Sequence, residues 1–180
     1  MKGIIFNLLE QVVIDTHGES TWETIVDASG LEGAYTAVGN YPHEDLMQLV
    51  KAASTSLNES VDGVVRWFGR AALPLLATRY PGFFEGHDST RSFLLTLNNV
   101  IHPEVRKLFP GSYAPEFDFD DSDPDTLKLG YVSHRSLCSF GEGLIEGAAD
   151  HFNEHVGLTQ SSCSKQGDEK CVFVCSFTKG

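Results

Sequence analysis

The chain has 180 residues, with 13 Lys and Arg against 25 Asp and Glu, and so carries a net charge of −12. That length suits one domain with one sizeable core, and an acidic chain without a basic stripe excludes nucleic acid as an expected partner. No apolar run reaches transmembrane length, so no membrane insertion is expected. The opening MKGIIFNLLEQVVID is interrupted by Glu10 and Asp15 and lacks a small-residue cleavage site, so a cytoplasmic location is expected.

In chain order, Ile4, Ile5, Leu8, Leu9, Val12 and Val13 recur at helical spacing, which predicts an amphipathic first helix. ESTWETIVDASG reads as a second helix that stops at Gly30, and PHEDLMQLVKAAST as a third. NESVDGVVRWFGRAALPLLATRY predicts a longer fourth helix, opened by Asn58 and kinked at Pro74. STRSFLLTLNNVIHPEV predicts a fifth, disturbed at Pro103. The period then changes to two in PEFDFD, TLKLGYVSHRS, GLTQSSCSK and KCVFVCSFT, with a helix over 140–156 between the second and third strands. SKQGDEK is a turn, so the last two strands form a hairpin. Helices followed by a mostly antiparallel sheet with one inserted helix give an α+β fold. The acidic stretch PEFDFDDSDPD reads as a solvated loop between strands.

Two stretches carry candidate chemistry. In LGYVSHRS, strand alternation puts Tyr131, Ser133 and Arg135 on one face, spread over roughly 13 Å. They are either the polar outer face of a sheet or a clamp for carboxylates or phosphates, to which a guanidinium fork and two hydroxyls are suited. In NNVIHPEV, His102 lies on a largely apolar segment. It is either a core histidine or a neutral imidazole of the kind a haem iron needs as proximal ligand.

An axial histidine and a carboxylate clamp together match haem, which has a central iron and two propionates at one edge. With these residues the chain resembles the H-NOX family, the haem–nitric oxide/oxygen-binding domains related to the haem domain of soluble guanylate cyclase. The family's Tyr-x-Ser-x-Arg signature is matched by Tyr131, Ser133 and Arg135, its proximal histidine by His102, and its haem-distorting proline by Pro115. The opening MKG and GLIEG at 143–147 match as well. The resemblance spans essentially the whole chain and implies a single haem b domain over 1–180. A helical part over about 1–60 would pack on a ligand-helix and sheet part over about 61–180, with the haem between them. Ile5 and Pro115 would press on the haem. The distal pocket would be Leu76, Phe140 and Leu144, where oxygen-binding members carry a tyrosine in place of Phe140. An apolar distal side favours nitric oxide, and also CO, over oxygen.

The resemblance further implies a bacterial-type, stand-alone sensor rather than an enzyme. Nitric oxide would loosen the iron–His102 bond and shift the helical part against the sheet. Output would pass to a partner such as a histidine kinase or a cyclic-di-GMP enzyme. A haem-free zinc or redox regulator, or a small-molecule-binding module, of the same fold is the alternative. A peroxidase is disfavoured because no distal His/Arg pair is visible.

The turn near Gly167 opposes Cys163 to Cys171, and Cys138 follows the signature strand, so four cysteines with Cys175 would close a structural zinc site. Some H-NOX proteins resemble this chain in binding zinc near the C-terminal end, with a redox-sensing role. On a regular strand Cys171 and Cys175 stand about 13 Å apart, so either the strand bends or another group such as His155 is the fourth ligand. Buried or free thiols are the plain alternative.

Overall fold

Helix α1 (Gly3–His17) begins a run of four helices with α2 (Glu19–Ser29), α3 (His43–Leu57) and α4 (Val61–Arg79) in the computed structural model, which describes residues 1–180. Short helices α5 (Thr90–Leu94) and α6 (His102–Leu108) follow, separated by a π-helical turn over Leu97–Ile101. Strands β1 (Glu116–Asp120) and β2 (Thr126–Val132), helix α7 (Cys138–His151), and strands β3 (Glu154–Ser162) and β4 (Cys171–Lys179) complete the chain. The sheet is antiparallel throughout, in the order β1-β2-β4-β3, and β3–β4 is the expected hairpin. The fold is α+β, as the period change in the sequence requires.

Four sequence expectations need correction. Asn58 does not open the fourth helix. It ends α3 in the left-handed conformation (φ 52°), while the Ser60 side chain accepts from the Gly63 N–H and caps α4. The fifth helix breaks before Pro103, across residues 95–101, and Pro103 sits harmlessly in the first turn of α6. The inserted helix starts two residues earlier and ends five earlier than 140–156. Strand β2 ends at Val132, so Ser133 and Arg135 lie in the turn beyond it and do not alternate with Tyr131 on a strand.

Two apolar cores form. The first joins α1, α2, α3 and the first half of α4 around Phe6, Leu9, Ile25, Leu49 and Phe68. The second joins the end of α4 and α5 to α7, β2 and β4 around Phe93, Leu127, Leu129, Ile145 and Phe173. Fully burying each such side chain contributes about 1.5–3 kcal/mol. Helix α4 serves both cores, and its partner there is α7.

These two helices touch backbone to backbone. A Cβ on Gly143 would overlap the Arg66 carbonyl, one on Gly147 would lie 2.6 Å from the Arg70 carbonyl, and one on Gly69 would lie 2.5 Å from the Phe140 carbonyl. Pro74 lacks the N–H that would bond the Arg70 carbonyl four residues earlier, and Gly147 packs against that carbonyl. Charges on the same two helices close the seam. Arg66 reaches Glu146 at 2.6 Å and Glu142 at 3.7 Å, and Arg70 pairs with both oxygens of Asp150 at 2.7 and 2.9 Å. Gly143→Ala should therefore cost about 1–3 kcal/mol by overpacking. Gly82→Ala, which meets open space, should stay within about 0.5 kcal/mol. Urea unfolding midpoints compare the two, and equal midpoints would mean that the helices do not approach this closely.

Candidate ligand cavity and cysteine cluster

Between the two cores lies a cavity of about 300 Å³. Of its 36 lining residues 29 are hydrophobic, and none is Asp or Glu. In a chain with 25 acidic residues, this leaves the cavity lining free of carboxylates. Every residue singled out in the sequence for haem lines this one space: Ile5, Leu76, His102, Pro115, Tyr131, Ser133, Arg135, Phe140 and Leu144.

His102 opens α6 directly after the π-helical turn. That turn is held to the sheet by Asn98, whose amide donates to the Phe117 carbonyl at 2.5 Å and accepts from the Phe117 N–H at 3.2 Å. Asn98 thus pairs with edge strand β1 as a further strand would, and this tertiary bond accounts for the local break in helical geometry. The His102 ring packs at 5.8 Å from the Phe117 ring. Burial lowers its pKa from 6.5 to about 4; Arg106 adds to the shift, and the Pro115 carbonyl opposes it. That carbonyl approaches the ring without making a hydrogen bond of ordinary geometry, and Nδ1 is buried and unpartnered. His102 is therefore a neutral imidazole in an apolar wall at physiological pH.

Tyr131 ends the regular part of β2, opposite Phe117 on one side and Cys171 on the other. Burial pushes its phenol up to about 12, so it stays a neutral donor; Ser133 opposes the shift as a hydrogen-bonding partner. The Ser133 side chain accepts from the Arg135 N–H at 3.2 Å. The turn continues through Ser136 at φ 52°, a left-handed conformation uncommon for serine. Phe140 packs at 5.0 Å from Phe68, Leu76 and Leu144 line the same cavity, and none of these side chains can donate a hydrogen bond.

The structure brings three of the four cysteines together. Sulfurs of Cys138, Cys163 and Cys171 all lie within 4.8 Å of one another, and all three residues are buried. Cys175 stands apart. It pairs with Leu127 and Leu158 four residues further along β4, and burial, with Glu142 nearby, pushes its thiol up to about 12. The strand stays regular there, so Cys175 does not join the cluster. Nor does His155, which pairs with Thr178 at the far end of the hairpin, about 25 Å along the strands from Cys163 and Cys171. The side chain missed in the sequence is Gln160. It is placed to hydrogen-bond Cys138, and its amide nitrogen is buried without a partner. Burial pushes Cys138 up to about 11. Burial also opposes ionisation of Cys171, but hydrogen bonds from the Ser164 hydroxyl and N–H, both 3.3 Å, together with those from Cys138 and Cys163 outweigh it and lower its pKa.

The sequence profile of the Haem-NO-binding family matches residues 2–160. The chain belongs to the Haem-NO-binding family. An H-NOX protein from S. oneidensis in its Fe(II)NO ligation state shares 29% identity and superposes with a TM-score of 0.92, over 99% of this chain and 100% of that one. The Fe(II) unliganded H-NOX protein from K. algicida shares 27% identity with a TM-score of 0.88, over 100% and 98% of the two chains. A soluble guanylate cyclase of Caenorhabditis elegans is 24% identical over 164 residues. The present chain spans 23% of that cyclase's length, and the match covers 83% of this chain. Members of the Haem-NO-binding family are haem-based gas sensors, and no helix of this one is long and apolar enough to cross a membrane.

A buried neutral histidine makes stability depend on pH with a fixed sign. The unfolded chain protonates His102 near 6.5, whereas the native state resists protonation down to about 4. The unfolded state thus holds more protons in that window, and stability falls as pH drops through it. Denaturation of the haem-free protein should show a steeper loss between pH 6.5 and 4 than denaturation of His102→Leu. Parallel slopes would mean that His102 is not buried in its neutral form.

Proposed function

We propose that this protein is a haem sensor for nitric oxide that signals to a separate protein. The observation that carries this reading is the acid-free apolar cavity with a neutral, buried His102 in one wall and Tyr131, Ser133 and Arg135 at one edge. That donor set fits haem b. With Nδ1 closed off inside the protein, Nε2 of His102 is the nitrogen that would serve as axial ligand. Tyr131 and Ser133 would give neutral hydrogen bonds, and Arg135 a charged one, to the propionates. Ile5 and Pro115 would press on the faces of the ring. When bound, ferrous haem supplies the iron at which a diatomic gas binds. Leu76, Phe140 and Leu144 decide which gas is held, because they exclude water and offer no donor. Bound oxygen gains from a donor, whereas nitric oxide and CO need one far less.

The cavity touches both apolar cores, so whatever fills it acts on the seam between them. A ligand transmits a signal only if it binds two arrangements of that seam with different affinity. The resemblance to stand-alone bacterial members suggests a histidine kinase or a cyclic-di-GMP enzyme as the partner, and a cytoplasmic role that is regulatory rather than enzymatic. Absorption spectra test the gas preference. The reduced protein should form stable nitric oxide and CO complexes and no stable oxygen complex in air, and Phe140→Tyr should slow the loss of oxygen. A stable oxygen complex of the unaltered protein would contradict the apolar-pocket argument.

The three clustered thiols also suit one zinc ion, for which three thiolates and a fourth donor make a tetrahedral set. Gln160 lies beside Cys138. We expect about one zinc per chain by elemental analysis. Cys138→Ala, Cys163→Ala and Cys171→Ala should each lose it, while Cys175→Ala should retain it. Retention in Cys171→Ala, or loss in Cys175→Ala, would refute this site. Such thiolates would also be sensitive to peroxide, which gives the domain a redox input beside the gas input.

A further inference from the structure

Arg135, like Ser133, lies beyond the strand, and it is the one charged residue of the signature with no strand geometry to aim it. Strand β2 ends three residues before it, and Arg135 has no ion-pair partner. Its guanidinium is held instead by a single residue. Nη1 donates to the Tyr113 carbonyl at 3.3 Å, and the guanidinium carbon lies 5.1 Å from the centre of the Tyr113 ring. The same ring meets His134 edge-on at 4.1 Å. Tyr113 lines the cavity and is 40% exposed, which is high for an aromatic residue that bounds an apolar space. Nothing in the sequence marked it, since it lies in the loop between α6 and β1 and follows no period.

A guanidinium has five N–H donors, and this arrangement uses one of them. Stacking on an aromatic face fixes the plane of the fork without consuming the others. We propose that Tyr113 is a positioning residue, which holds the Arg135 fork at the cavity mouth with its remaining donors free for a carboxylate of the ligand. This rests on the haem reading above and names the residue that makes Arg135 an effective part of it. Tyr113 lies two residues before Pro115 on the chain that leaves the His102 helix, so it also ties the two edges of the mouth together.

The test compares release of haem and of haem dimethyl ester, whose carboxylates are blocked, into excess apomyoglobin. Tyr113→Leu keeps apolar bulk and the backbone carbonyl but removes the π face. It should speed haem release by about three-fold, the scale of an exposed cation–π contact, and leave release of the ester unchanged. Tyr113→Phe should behave as the unaltered protein. In an Arg135→Ala background, Tyr113→Leu should have no further effect. Equal acceleration for haem and ester, no acceleration at all, failure of Phe to rescue, or a full effect without Arg135 would each overturn the positioning role. Equal release of haem and ester by the unaltered protein would instead remove the carboxylate clamp itself, and the role of Tyr113 with it.

Discussion

The close approach of α4 and α7 is the constraint on which the rest of the molecule depends. Gly69, Gly143 and Gly147 let the two backbones touch, and the Arg66 and Arg70 ion pairs fix their rotation. Because α4 enters both apolar cores, this contact sets how the helical part sits on the sheet part. It also sets the cavity: α4 contributes Leu76 to its wall and α7 contributes Phe140 and Leu144. The exposed Arg70–Asp150 pair adds modestly to stability on its own, and the Arg66 pairs are partly buried. Their joint value here is register, since a slip by one turn would bring larger side chains into the seam.

Electrostatics then selects what the cavity can hold. The chain is strongly acidic, yet the cavity lining faces a ligand with no carboxylate, a neutral imidazole and an arginine with free donors. An apolar body with carboxylates at one edge satisfies that arrangement, and a cation does not. The cysteine cluster adjoins the same edge: Cys171 is the cross-strand partner of Tyr131. Chemistry at the thiols and occupation of the cavity therefore act on neighbouring positions of one strand pair.

Much of this was legible in the sequence, for identifiable reasons. Helix and strand periods gave the α+β order and the terminal hairpin, and Gly30 marked a helix end because it takes a left-handed conformation there (φ 71°). The haem-related residues were found through a motif in fixed order, and they do line one cavity. What escaped was tertiary. The break before His102 comes from Asn98 bonding to β1, which local propensity does not encode. Asn58 and Ser60 are both good capping residues, and only the backbone reveals that one ends α3 while the other begins α4. Alternation was extended three residues too far along β2. Cys175 shares the inner face of β4 with Cys171, so side-chain direction alone could not separate them, whereas distance along the strand does.

The central claim is that His102 is the protein's axial ligand to a ferrous haem. Resonance Raman spectroscopy of the reduced, gas-free protein reads that bond directly. The account predicts an iron–histidine stretching band that shifts with isotope-labelled histidine and is absent from His102→Gly. A band that persists unchanged in His102→Gly, or a reduced protein in which no histidine-sensitive band appears, would contradict it.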